Sequence, residues 1–178
     1  MGNIVLLDDL TINKIAAGEV IERPLNVVKE VVENSIDAGA TKIIVEIKKG
    51  GKQLIKVIDN GKGIPKDDMD IALERHATSK LRKIEDLEKI YTMGFRGEAL
   101  ASIVSVAKLT MISKTSNDDF GTKLVAEAGD ILEREETGAQ LGTTIMVENL
   151  FFVLIFIFYN FKITIFTSFN HLIIDSIS

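Results

Sequence analysis

Between positions 108 and 147 the chain offers four strand-like runs in succession, 108–114, 121–128, 131–135 and 143–147, with only polar turns between them. Parallel neighbours need a crossover of a dozen or more residues, usually a helix. No such crossover fits here, so a doubly wound α/β arrangement is excluded. Earlier in the chain, 41–48 and 53–58 read as two more strands around the turn former Gly50-Gly51, with Ile43, Val45 and Ile47 facing one way. Pro24 suits the first position of a helix, where its missing N–H is not needed. Val27, Val28, Val31, Val32 and Ile36 then recur at helical spacing, and Gly39 marks the stop. The run 65–75 reads as a further helix, with Asp67 and Asp68 suited to its first turn. Residues 76–97 read as a long flexible segment interrupted by a short helix near 84–90. Residues 98–106 are small and apolar, as in a buried helix, and 11–23 suit a short helix or ordered arm. The sum is an α/β (α+β) two-layer sandwich, helices on one face of a mixed, mainly antiparallel sheet.

A chain of 178 residues is long enough for one domain with a real core. The formal charge of −5 provides no overall basic field for nucleic acid, although a local basic face is compatible with it. No cysteine is present, which excludes disulfides and thiolate metal sites and fits a reducing cytoplasm. The first residues lack the basic start and apolar run of a secretory signal, so no export is expected. Leu6 stands where a myristoylation signal needs Ser or Thr.

Composition changes abruptly near Phe152. Residues 151–178 hold seven of the nine phenylalanines and, among charges, only Lys162 and Asp175. We expect two parts, 1–152 and 153–178. The tail's unbroken apolar run is about ten residues, short of the roughly 20 a spanning helix needs, so no membrane partner is expected. A strand pair is an alternative, since Phe and Ile favour strands. The favoured reading is out-of-frame translation, because Phe, Ile, Leu, Asn, Lys and Tyr are what AT-rich codons yield. As a segment it is β-favouring, nearly uncharged and free of proline, hence prone to aggregation.

Four segments carry candidate chemistry. On the first helix Glu30, Glu33, Asn34 and Asp37 share one face. On an arbitrary helix such a face is merely solvated. Asn34 argues otherwise, because a mid-helix amide lowers helix propensity and has no capping role here. Its carbonyl oxygen is a hard ligand suited to magnesium that already holds phosphate and water. Glu30, one turn earlier, can polarise a water for attack on a terminal phosphate. Asp59-Asn60-Gly61-Lys62-Gly63-Ile64 follows a strand. It is either a plain turn or a carboxylate placed to accept from the exocyclic amine of adenine, with Gly61 and Gly63 allowing close approach. Gly94-Phe95-Arg96-Gly97-Glu98-Ala99-Leu100 places two glycines before a helix whose free N–H groups can hold phosphate. Arg96 suits phosphate or a carboxylate. His76-Ala77-Thr78-Ser79-Lys80 offers hydroxyls and an ammonium, with His76 read as structural. Thr143, in Gly142-Thr143-Thr144, is either an ordinary strand residue or a partner of Asp59 or a bridging water.

In this order the segments resemble the GHKL ATPase superfamily, shared by gyrase B, ninety-kilodalton heat-shock chaperones, histidine kinases and MutL. Residues 16–24 (Ala-Ala-Gly-Glu-Val-Ile-Glu-Arg-Pro), His76 to Lys80 and Gly94 to Ile103 are similar to the mismatch-repair branch of that superfamily, the MutL family, from about residue 4 to 152. These motifs argue against a topoisomerase subunit or a histidine kinase. The resemblance implies the Bergerat ATPase fold, with ATP and Mg2+ as cofactors. It implies Glu30 as catalytic base and Asn34 as magnesium ligand. Asp59 becomes the adenine acceptor, and Thr143 lies beneath the base. Thr78, Ser79, Lys80 and Arg96, Gly97, Glu98, Ala99 and Leu100 form a lid over the triphosphate. Asp37, Gly61 and Gly63 line the nucleotide site. It further implies an ATP-induced homodimer, a MutS-type partner, weak DNA contact and a cytoplasmic setting. After Leu150-Phe151-Phe152 the family's Asn-Thr-Pro-Ala-Arg is missing. With it goes the half that supplies a lysine to the γ-phosphate and much of the DNA surface. A fragment that only binds nucleotide or a partner is therefore the alternative reading.

Overall fold

The computed structural model describes residues 21–75, 77 and 98–150, positions 6, 12, 15 and 17, and the backbone of two strands beyond residue 163. Helix α1 runs Pro24–Asp37, with Pro24 in its first turn and Arg23 extended before it. It ends in a Schellman turn. Gly39, at φ 75°, lets its own N–H reach the Ile36 carbonyl at 2.9 Å and the Ala40 N–H reach the Ser35 carbonyl at 3.1 Å. Val27 and Val31 are buried, and Val28 and Val32 pack beside them. Helix α2, Ala99–Val106, is buried from Ala101 onward.

The strands are β1 (Ile43–Lys48), β2 (Leu54–Asp59), β3 (Lys108–Lys114), β4 (Gly121–Glu127), β5 (Asp130–Thr137) and β6 (Gly142–Glu148). They form one sheet in the order β1-β2-β6-β3-β4-β5. Every pairing is antiparallel, so the sheet, expected as mixed and mainly antiparallel, is antiparallel throughout. Strand alternation sends Ile55 and Val57, Leu109 and Met111, Leu124 and Ala126, Ile145 and Val147 to one face, where α1 and α2 cover them. Ile43, Val45 and Ile47 share that side, opposite Asp59, Val57 and Ile55, but β1 is an edge and Ile47 stays half exposed. The tail strands β7 (Thr164–Ser168) and β8 (His171–Asp175) pair antiparallel in a separate two-stranded sheet.

The helix expected over 65–75 is absent. Two single 3-10 turns, Lys66–Asp68 and Ile71–Leu73, stand in its place. In an α-helix the Lys66 carbonyl would accept from residue 70. Here that carbonyl accepts the Met69 N–H at 3.4 Å, closing a 3-10 turn, and Nη2 of Arg134 on β5 at 2.7 Å, while Arg134 Nη1 grips Asp70 at 2.8 Å. Met69 is fully buried between these anchors, while Ile71 points outward. The short helix expected near 84–90 lies outside the described residues. Among the described residues no helix is long and apolar enough to cross a membrane.

Candidate nucleotide site

The centre of the site is Asp59, the last residue of β2, which is buried on the face covered by α1. Its Oδ2 accepts the Ser35 hydroxyl from α1 at 2.9 Å. Its Oδ1 accepts two backbone donors, the Gly61 N–H at 2.8 Å and the Thr143 N–H at 3.2 Å. A carboxylate offers about four lone-pair positions, so one remains, on Oδ2. The acid is therefore a fixed acceptor with a single opening.

Glycines allow the backbones to close around it. Gly142 sits at φ 115°, and a Cβ there would meet the Asp59 carbonyl oxygen at 2.1 Å. Gly63, at φ 75°, passes so close to Lys114 that a Cβ would stand 2.2 Å from its carbonyl oxygen. Gly61 lies against Ala38, at the end of α1. The Lys62 N–H reaches the Ala38 carbonyl at 3.0 Å. Asn60 ties the same loop to the start of β1 by accepting the Thr41 and Lys42 N–H groups at 2.9 and 2.8 Å.

On α1, Val27, Val31 and Ser35 form the stripe that faces the sheet. Asn34 and Glu30 lie about 100° and 140° around the helix from Ser35, on the flank beside the stripe, and both are half-buried. Asp37, also half-buried, is the helix's last residue. Lys29 stands 3.5 Å from Glu30 and 3.1 Å from Glu33. Its hydrogen bond to Glu33, and then the charge of Glu30, hold its ammonium above the ordinary lysine range. Buried Glu33 and half-buried Glu30 thus share one cation.

Glu98 precedes α2, and Ala99 and Leu100 open it, with Leu100 packed on the core. The first N–H groups of α2 lack intrahelical acceptors, as at any helix start. Thr78, Ser79, Lys80, Arg96 and Gly97, together with His76, lie outside the described residues. Thr143 is buried next to Asp59, and its Oγ1 is 2.9 Å from Ser113 Oγ.

Two residues escaped the sequence reading, Ser35 and Ser113. Each is a polar interruption of an apolar row: Val27, Val31, Ser35 at i, i+4, i+8, and Leu109, Met111, Ser113 at period two. A buried hydroxyl needs a partner, and that need was the available signal.

A hollow of about 300 Å3 is lined by Ile44, Ile58, Ile112, Leu141 and Thr144 and bordered by Asp59, Asn60, Gly142 and Thr143. Ile58 and Thr144 neighbour Asp59 and Thr143 in sequence and so point the other way. The hollow therefore borders the Asp59 segment, while the side chains of Ile44, Ile58 and Ile112 lie on the other face of the sheet from the Asp59 carboxylate. Among the described residues, no three His, Cys, Asp or Glu side chains converge as a metal cage. A single amide such as Asn34 suits magnesium, which keeps several waters and takes much of its shell from phosphate.

A buried acid at a strand tip, held by three donors under a helix bearing Glu and Asn and beside a glycine-lined loop, defines a nucleotide-binding α/β sandwich without a Walker loop. Residues 22–145 match the family described as histidine kinase-, DNA gyrase B- and HSP90-like ATPase, and the chain belongs to that family. Within it the chain is of the MutL type, an N-terminal ATPase domain of mismatch repair proteins. It is 57% identical over 152 residues to the DNA mismatch repair protein MutL of Caldanaerobacter subterraneus subsp. tengcongensis, covering 85% of this chain and 26% of that one. It is 53% identical over 152 residues to MutL of Lactococcus lactis, covering 85% and 23%. The chain thus spans about a quarter of the length of the curated relatives it matches. Among solved structures, the N-terminal domain of a DNA repair protein superposes with a TM-score of 0.68 at 36% identity, over 85% of this chain and 43% of that one. The Aquifex aeolicus MutL ATPase domain, complexed with ADP, superposes with a TM-score of 0.58 at 41% identity, over 77% and 46%.

Proposed function

We propose that this chain binds ATP at Asp59 and hydrolyses it, as the ATPase region of a MutL-type protein. The observation that carries the reading is the state of Asp59: three donors hold it rigid and one lone pair is left open. Such a group accepts one N–H of a base's exocyclic amine without reorganising. Thr143 sits beside it under the base. Glu30 takes the proton of a water whose oxygen attacks the terminal phosphorus, and the bond to the bridging oxygen breaks to release ADP and phosphate. Asn34 would hold Mg2+, which when bound offsets phosphate charge. The start of α2 at Glu98, Ala99 and Leu100, with Gly97, Arg96, Lys80, Ser79 and Thr78, would wrap the phosphates, and Gly61, Gly63 and Asp37 would border the nucleoside. In the longer protein this switch would couple a MutS-type mismatch sensor to repair, through ATP-induced dimerisation and DNA contact in the cytoplasm. We place the domain boundary near residue 152 and treat 153–178 as foreign to the family.

Purified chain tested with ATP and Mg2+ should gain thermal stability and release phosphate slowly. Absence of any nucleotide-dependent shift in melting temperature sinks the reading. Stabilisation without turnover selects the alternative, a catalytically inactive fragment that only binds nucleotide or partner. One observation favours that alternative: the Lys29 contact on Glu30.

A further inference from the structure

Ser113 joins three segments that meet at the site: its own β3, the loop at Ile64 and the start of β6. It is buried at the end of β3's core-facing row. Its Oγ accepts the Ile64 N–H at 2.8 Å, lies 3.2 Å from the Gly142 carbonyl oxygen, and lies 2.9 Å from Thr143 Oγ1. A hydroxyl has one hydrogen and two lone pairs. The Ile64 N–H occupies one lone pair. If the Ser113 hydrogen goes to Gly142, the second lone pair is filled by the Thr143 hydroxyl as donor, and all three contacts form together. If Ser113 donates to Thr143 instead, the Gly142 contact is lost. Buried polar groups settle in the arrangement that satisfies most of them. The Thr143 hydrogen is then turned toward Ser113, and Thr143 Oγ1 keeps only lone pairs for anything bound beside it. Asp59 Oδ2 likewise has only a lone pair to offer.

From this we infer that Ser113 is a specificity-determining positioning residue. Acting through Thr143, it makes the base site a pair of acceptors with no donor, which takes a base bearing an amine and rejects one bearing a carbonyl at the same place. The inference rests on the ATP reading and deepens it.

ATP and inosine triphosphate, which carries a carbonyl where adenine has its amine, test the idea by equilibrium binding to the full chain. Wild type should prefer ATP. Ser113→Ala frees the Thr143 hydroxyl to donate, so the ATP-to-inosine-triphosphate preference should fall about tenfold, with circular dichroism unchanged. Ser113→Thr keeps a hydroxyl at the same place and should retain the preference. Should the alanine variant fail to fold, Ser113→Cys, close in volume but a weak hydrogen-bonding group, carries the same comparison. A folded variant with the preference intact within about twofold overturns the role of Ser113 alone. A wild-type chain that binds neither nucleotide overturns the ATP reading itself, and the inference with it.

Discussion

Ser35 on α1 donates its hydroxyl hydrogen to Oδ2 of Asp59 at the tip of β2, over 2.9 Å. This bond joins the helix that carries Glu30 and Asn34 to the strand that carries the proposed base acceptor. The spacing between that helix and the proposed adenine site is thereby held by the fold itself. Ser35 Oγ also lies 3.1 Å from the Val31 carbonyl, so its hydrogen has a second place to go.

That second place shapes the outcome of Asp59→Asn. The new amide can keep its oxygen on the Gly61 and Thr143 N–H groups and turn its NH2 to Ser35. Ser35 can then accept and pass its hydrogen to Val31. The fold should survive, with an unchanged circular dichroism spectrum. The one open acceptor, however, becomes a donor facing the amine. ATP affinity measured by calorimetry should fall about 5- to 150-fold, the range set by one mispaired polar contact. Equal affinity in the two proteins would remove Asp59 from the base site.

Glu30→Ala separates binding from chemistry. A general base contributes typically about 10²–10⁴-fold, so phosphate release should drop to background. ATP binding should stay within a few-fold, because Glu30 faces the flank of α1 and not Asp59. Equal loss of binding and turnover would assign Glu30 to positioning instead of proton transfer.

Gly142→Ala tests how tightly β6 closes on the acid. A Cβ would overlap the Asp59 carbonyl oxygen at 2.1 Å, and φ 115° is strained for alanine. Overpacking and backbone strain together should cost at least about 3 kcal/mol, lowering the melting temperature by about 6–12 °C. Gly39→Ala is the control. Its φ of 75° is also left-handed, but nothing lies within 4 Å of a Cβ, so only about 1 kcal/mol is expected.

The clamp of the 66–70 segment on β5 should respond to acid. Lys66 Nζ bonds Glu136 Oε1 at 2.7 Å, and that contact lowers the Glu136 carboxyl below its ordinary 4.5. A lowered carboxylate stabilises the fold above its unfolded value, and the contribution is lost as pH falls through the folded value, that is, below 4.5. Glu136→Gln should therefore lower the melting temperature slightly at neutral pH and make no difference near about pH 2. The difference should also shrink in about 1 M salt, since both groups are exposed.

How far the sequence could be read follows from the range of each interaction. Pro24, the valine stripe and Gly39 act within a turn or two, and α1 begins and ends where they say. The strands of β3, β4 and β6 were legible for the same reason, as alternating runs between turn formers. The 65–75 segment was not. Its local residues favour a helix, yet Arg134, more than 60 residues away, takes the Lys66 carbonyl an α-helix would use.

The site divides along the same line. The chain's order of residues alone was enough to single out Asp59, Glu30, Asn34 and Thr143 as candidates, because their types and spacing carry chemistry whatever the fold. Only the folded sheet brings Thr143 to Asp59 across 84 positions and makes Ser35 and Ser113 their partners. Hydrogen bonds between distant segments leave no periodic trace in a sequence; they exist only once the apolar face has packed and brought their donors and acceptors within reach.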